Sequence, residues 1–301
     1  HLTIGVHDPT VIHQGSEYYL FATGGRLGIR ASADLMQWSN AGTMFATMPA
    51  WIATELGQQI TDLWAPDVSF FGGLYHVYYA GSLFGSNHSV IGLATNATLD
   101  PTSASYKWVD QGLVIESNKA GGPKDDWNAI DPSLAMDGSG QPWLVFGSFW
   151  SGIKLRRLDP GAGKPSTTDT QLYALASAGE GIEAPSIVSH GGYYYLFVSY
   201  DACCKGVNST YRTMVGRAST ITGPYTDRGG KAMLQGNAEQ MLATSGRYIG
   251  PGGGTAFQDG DRYYYAYHYY DGQGNGASYL MMRPILWSTE NWPTMGAPLW
   301  Q

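Results

Sequence analysis

One unit recurs five times along this chain, and such recurrence limits the fold to an array or a ring of similar pieces. Each copy starts at an acidic or Pro-containing strand entrance, runs through an apolar stretch and a Gly-rich turn, and ends in a dense aromatic strand. The copies are HDPTVIHQGSEYYLFATG (7–24), WAPDVSFFGGLYHVYYAGS (64–82), IDPSLAMDGSGQPWLVFGS (130–148), EAPSIVSHGGYYYLFVSY (183–200) and GGGTAFQDGDRYYYAYHYY (252–270). The aromatic strands begin at Tyr18, Tyr75, Trp143, Tyr193 and Tyr263, a spacing of roughly 50 to 70 residues that holds four strands and their loops, as a β-propeller blade does.

Outer-strand candidates follow each aromatic strand, at 28–39, 89–99, 152–159, 211–220 and 279–288, and they alternate apolar with polar residues as half-buried strands do. Helical periodicity is nearly absent. The 41 Gly and 15 Pro supply turns, and short helical turns are expected only at 49–56 and 237–243. The expected architecture is all-β, a five-bladed propeller forming a single catalytic domain over residues 1–301, with a cleft at its axis. A β-sandwich shares the regular strand spacing but does not predict what the acidic residues do.

Counting back ten residues from each aromatic strand lands on Asp8, Ala65, Ser133, Glu183 and Gly253. The third unit has a turn two residues longer (DGSGQP), which moves its position to Asp131. Asp8, Asp131 and Glu183 are therefore expected at one repeat position, and equivalent positions in a cyclic repeat converge on the axis. A Pro follows each acid directly or one residue later, as in Asp8-Pro9, Asp131-Pro132 and Glu183-Ala184-Pro185. Pro is tolerated at a strand's first residue, where no ladder N–H is lost. One such turn means little; three at one position place carboxylates together. A carboxylate cluster suits glycoside hydrolysis, in which one acid stays protonated for the leaving oxygen and another stays ionised to activate water.

Composition narrows the classes. Hydrophobic residues at 43% and charged residues at 14% exclude disorder. A net charge of −7 is wrong for a nucleic-acid partner, and no apolar run of about 18 residues marks a membrane span. The 21 Tyr and 10 Trp suit both strands and sugar-stacking clefts. No signal peptide is visible, and the abrupt start at His1 reads as a trimmed mature protein. Sequons at Asn87, Asn96 and Asn208 lean weakly towards secretion to the extracellular space. The only cysteines, Cys203 and Cys204, are adjacent; they form a vicinal disulfide or no bridge, and lack metal-pair spacing.

Specific runs add a family resemblance over nearly the whole chain: HDPT (7–10), DLWAPDV (62–68), WNAIDPS (127–133), FGSFWSG (146–152), IEAPSI (182–187), SYDACCKG (199–206) with the STY that follows, and YHYYD (267–271). Together they resemble the family 43 glycoside hydrolases, most closely the arabinan-degrading members. The resemblance implies a five-bladed propeller and an inverting hydrolase of α-1,5-linked arabinan and arabino-oligosaccharides, endo-acting in preference to exo-acting. It implies Asp8 as general base, Glu183 as general acid and Asp131 as the group that tunes and orients the acid. His7, Trp64, Phe84, Asn128, Ser148, Phe149 and Trp150 become expected substrate contacts, with a buried blade Trp as the other reading of Trp64. His268 becomes the expected ligand of an axial metal ion, calcium above others, although a lone strand His is more often a core residue. No organic cofactor, nucleic acid or membrane is expected, and the chain is expected to act as a monomer. The run GPGGGT (250–255) departs from the family pattern, in which a His commonly follows Gly-Pro. The competing functions are a β-xylosidase or arabinoxylan arabinofuranosidase, and a non-catalytic propeller lectin. A lectin has no need of three acids at one repeat position.

Overall fold

The computed structural model describes residues 4–179 and 181–300. Among these, four-stranded antiparallel sheets form five blades. The first comprises β1 (Thr10–Gln14), β2 (Glu17–Phe21), β3 (Gly28–Ser32) and β4 (Ser39–Thr43). A short helix α1 (Ala50–Leu56) leads to the second, β5 (Trp64–Phe71), β6 (Leu74–Gly81), β7 (Ser89–Asn96) and β8 (Val109–Ser117). The third is β9 (Ser133–Met136), β10 (Pro142–Phe146), β11 (Ile153–Arg157) and β12 (Tyr173–Ala176). The fourth is β13 (Ile182–His190), β14 (Tyr193–Tyr200), β15 (Arg212–Ala218) and β16 (Glu239–Leu242). The fifth is β17 (Tyr248–Asp259), β18 (Arg262–Asp271), β19 (Ser278–Trp287) and β20 (Pro293–Met295). Strands pair in chain order within each sheet, and the first strands of successive blades adjoin around a ring in which β17 returns to β1. The fold is a five-bladed β-propeller.

Its packing explains the aromatic strands. Successive side chains on a strand point to opposite faces, and here both faces are covered by neighbouring blades. Val77 and Tyr79 of β6 enter the core shared with blade one, and Tyr78 between them enters the core shared with blade three. On β14, Leu196 and Val198 face blade three, while Tyr195 and Phe197 face blade five. A strand buried on both faces reads as a continuous apolar run. Truncating one of these side chains, Phe197 for example, costs about 3–5 kcal/mol by leaving a cavity.

The ring is closed by polar contacts. His13 Nδ1 on β1 and Tyr18 Oη on β2 bind the two carboxylate oxygens of Asp259, at 2.8 and 2.6 Å, across the junction of blades one and five. The segment before β1 also pairs with β19, through a bridge between Gly5 and Tyr279. One expected element differs. Residues 237–243, expected as a helical turn, contain β16, because Glu239, Gln240 and Leu242 find partners on β15. Strand pairing across the blade outweighs the weak local preference.

Candidate active site

Every blade carries a residue with left-handed backbone at a matching point just before or within its innermost strand: Asp8 (φ 49°), Ala65 (φ 43°), Asp131 (φ 55°), Ala184 (φ 51°) and Gly253 (φ 57°). These five line a pocket on the axis together with Pro66, Pro132, Pro185, Gly254 and Thr255. Left-handed backbone costs a non-glycine residue about 1–3 kcal/mol, so the surroundings must enforce it. In β5, β13 and β17 the register with the second strand breaks at this point, as in a bulge. The bulge frees an N–H from the ladder, and a polar side chain takes it. The Asp8 N–H donates to His268 Nδ1 (3.1 Å), Ala65 to Thr23 Oγ1 (2.7 Å), Ala184 to Asp131 Oδ2 (3.0 Å) and Gly253 to Ser199 Oγ (2.8 Å).

This pattern corrects the expected equivalence of the three acids. Asp8 and Asp131 do share a repeat position, but the fourth blade places Ala184 there. Glu183 pairs with Ser199 as Trp64 pairs with Ala80 and Gly252 with His268. Glu183 therefore sits one residue earlier, at the position of Trp64. Its side chain is buried, and the three carboxyl groups lie close enough to perturb one another.

Their environments push them in opposite directions. Burial favours the neutral form of Asp8, but the His7 imidazole, His268 and the Thr23 hydroxyl outweigh it and hold the carboxyl down to about 2. His7 Nδ1 lies 2.9 Å from Asp8 Oδ2, and Thr23 Oγ1 donates to the same oxygen at 2.6 Å. Burial pushes Glu183 up, against hydroxyl donors from Ser148 (2.6 Å to Oε2) and Tyr211 (to Oε1), with the Asp8 charge adding to the rise. Asp131 is raised well above the carboxylate range by burial, then by the charges of Glu183 and Asp8. Asp131 also holds the Ala184 N–H, the peptide next to Glu183. A carboxyl group pushed down beside two pushed up is the separation of pKa values that acid–base catalysis requires.

The expected contacts fall into three groups. His7 belongs with Asp8: besides that carboxyl group it contacts Tyr270 Oη through Nε2 (2.7 Å), and it stacks on His268 at 3.7 Å between centroids. Ser148 is buried and bonded to Glu183, and Asn128 is 2% exposed with its Nδ2 3.4 Å from the Ser86 carbonyl. Phe84, Phe149 and Trp150 are exposed at 85%, 38% and 47% on loops after second strands, and Trp64 is half-buried. Phe149 and Trp150 both have left-handed backbone, and the Phe149 N–H docks on the Ile182 carbonyl at 2.7 Å, beside Glu183.

The expected calcium site does not fit. Calcium takes six to eight oxygen ligands. Among the described residues, the donors that converge beside the acids are His7, Asp8 and His268, two imidazoles and one carboxylate. His268 Nδ1 already accepts the Asp8 N–H, and Nε2 lies 3.3 Å from Tyr270 Oη. Burial keeps this imidazole neutral. His268 is the acceptor that holds the Asp8 backbone, and no chemistry here is routed through a metal.

Sequence reasoning gave no role to Thr23, Tyr211 or Tyr270. Tyr211 lay within the STY run, and its signal was being the aromatic residue after a polar loop. The GPGGGT departure also has a reason. A Cβ on Gly252 would meet Tyr211 Cδ2 at 2.6 Å, and one on Gly253 would meet His268 Cε1 at 2.4 Å and Asp8 Oδ1 at 2.6 Å. The space is filled by the groups that orient both acids. The two cysteines are joined as a vicinal disulfide, with the Cys204 N–H donating to Tyr270 Oη at 2.8 Å.

A propeller with a buried cluster of carboxyl groups, their pKa values shifted in opposite directions, is the arrangement of a glycosidase. The chain belongs to the glycosyl hydrolases family 43, whose model matches residues 2–293. It is 40% identical to the extracellular endo-α-(1→5)-L-arabinanase 1 of Bacillus subtilis (strain 168), over 96% of this chain and 87% of that protein. It is 38% identical to the extracellular exo-α-(1→5)-L-arabinofuranosidase ArbA of Cellvibrio japonicus (strain Ueda107), over 96% and 86%. The crystal structure of an exo-1,5-α-L-arabinanase from a bovine ruminal metagenomic library superposes with a TM-score of 0.92 at 41% identity, covering 98% of each chain.

Proposed function

We propose that this chain is a secreted, monomeric, inverting hydrolase of α-1,5-linked arabinan, with residues 1–301 acting as one catalytic domain. The observation that carries the reading is one buried carboxyl cluster in which His7 and Thr23 bind Asp8, lowering its pKa, while burial raises that of Glu183. Asp8, ionised, takes a proton from water as the water oxygen attacks the anomeric carbon. Glu183, protonated, gives its proton to the departing glycosidic oxygen. Asp131 orients Glu183 by holding the adjoining peptide. Phe84, Phe149 and Trp150 serve as exposed faces for sugar rings, with Trp64 at the mouth. The names of the relatives support arabinan and an extracellular location. Endo cleavage is the preferred mode, with exo release as the alternative.

A time course on linear arabinan tests the function. A ladder of oligosaccharides supports endo action, and arabinose alone from the first minutes replaces it with exo action. Binding without any product identifies a lectin instead. Proton NMR of the first-formed sugar reads the stereochemistry: an inverted anomer is expected, and a retained one excludes Asp8 as a base acting through water.

A further inference from the structure

Two residues beyond each left-handed position, the innermost strands carry a ring of small polar side chains: Thr10, Asp67, Ser133, Ser186 and Thr255. Asp67 is the carboxyl group in this ring, and it is 4% exposed. Between blades four and five the ring makes a simple stitch, with Ser186 Oγ accepting the Ala256 N–H at 3.0 Å. Asp67 does more. Its Oδ2 accepts the Leu134 N–H at 2.8 Å and its Oδ1 the Ser133 hydroxyl at 3.3 Å, both from blade three. The Thr10 hydroxyl, from blade one, lies close enough to the same carboxyl group to favour its ionised form. Thr10 in turn accepts the Val68 N–H, the residue after Asp67, at 3.3 Å.

The placement matters because of what lies two residues away. Only Pro9 separates Thr10 from Asp8, and only Pro132 separates Ser133 from Asp131. Proline holds φ near −65°, so each three-residue segment transmits position stiffly. We propose that Asp67 is a positioning residue for the reaction: by clamping Thr10 and Ser133 in one carboxyl group it sets where Asp8 stands relative to Asp131, and through Asp131 relative to Glu183. This rests on the roles proposed above for those three acids. Asp67 itself contacts neither substrate nor the reacting atoms.

The test compares Asp67→Ala, Asp67→Asn and Ser133→Ala with wild type on arabinan, each checked for folding by circular dichroism. Misplacing a catalytic group by about 1 Å can cost about a hundredfold. Asp67→Ala is expected to lower kcat at least about tenfold with KM changed less than about threefold, and to move a limb of the pH profile of kcat. Asp67→Asn, which keeps an acceptor for the Leu134 N–H, should recover most of kcat, and Ser133→Ala should show a smaller loss in the same direction. Folded Asp67→Ala with unchanged kcat and unchanged pH limbs overturns the proposal and leaves Asp67 a stability residue. If Asp67→Ala does not fold, the other two variants decide, and wild-type kcat and pH profile in both overturn it equally. Asp8→Asn and Asp131→Asn run alongside keep the two readings apart, since activity retained in them defeats the catalytic assignment and not the clamp.

Discussion

Glu183 shows how a few hydrogen bonds set the working range of an acid. The hydroxyls of Ser148 and Tyr211 both donate to it, which favours its ionised form, while burial opposes them and wins. Burial keeps Tyr211 itself protonated and therefore a permanent donor. Tyr211→Phe removes one donor and raises the Glu183 pKa further. The basic limb of kcat/KM reports the group that must stay protonated, so that limb is expected to move to higher pH in Tyr211→Phe. A fixed or lowered limb would mean that Glu183 is not the acid. Asp8→Asn and Glu183→Gln are each expected to reduce kcat by about 10²–10⁴-fold with folding intact. Retention of a tenth of wild-type activity in either would remove it from the mechanism.

The decisive element is the innermost strand with its bulge. Turning one residue left-handed exposes an N–H, and a group from the neighbouring strand or blade captures it. The fifth blade shows the tolerance of this device. Gly253 has φ 57°, and a methyl group there would stand 2.4 Å from His268 Cε1 and 2.6 Å from Asp8 Oδ1. Gly253→Ala is therefore expected to displace the Asp8–His268 contact, lowering kcat more than tenfold, on the order expected for a misplaced catalytic group, together with a loss of melting temperature. The kinetic loss is the informative part, read at a temperature where circular dichroism shows the variant folded. Unchanged kcat would mean that Asp8 does not need His268 behind it.

Over the whole molecule, the buried acids make stability depend on pH in an uncommon sense. An unfolded aspartate titrates near 3.9, whereas burial raises Asp67 to about 7. The folded state then binds the proton more tightly, so the contribution of Asp67 is intact below about pH 4 and is lost as pH rises to about 7. Asp131 and Glu183, also raised, act with the same sign. Asp8 acts oppositely: held at about 2, it stabilises the fold above the unfolded value and that stabilisation is lost as pH falls through about 2. The melting temperature is expected to decline between about pH 4 and pH 8, and Asp67→Asn should flatten that decline whatever its effect at pH 4. An equal slope in the variant would show that Asp67 does not titrate in this interval.

The chain by itself determined the five units, their strand types and the convergence of acids on an axis. Period-two side-chain alternation, Gly-rich turns and aromatic runs are local properties, and a repeated local pattern forces repeated local structure. The helix at Ala50–Leu56 was legible for the same reason, and so were Asp8 and Asp131, because Asp-Pro marks a strand entrance. Tertiary structure alone decided the offset of Glu183, since a bulge is defined by pairing with β14 and not by counting residues. It alone turned 237–243 into an edge strand, gave His268 the Asp8 N–H to accept, and put Ser148 against Glu183. Tyr211, Thr23 and Asp67 were invisible as positioning groups because each acts on a residue from 15 to 67 positions away. The Thr23 and Tyr211 contacts exist only once the strands of a blade have paired, and the Asp67 contact only once blades two and three have packed together.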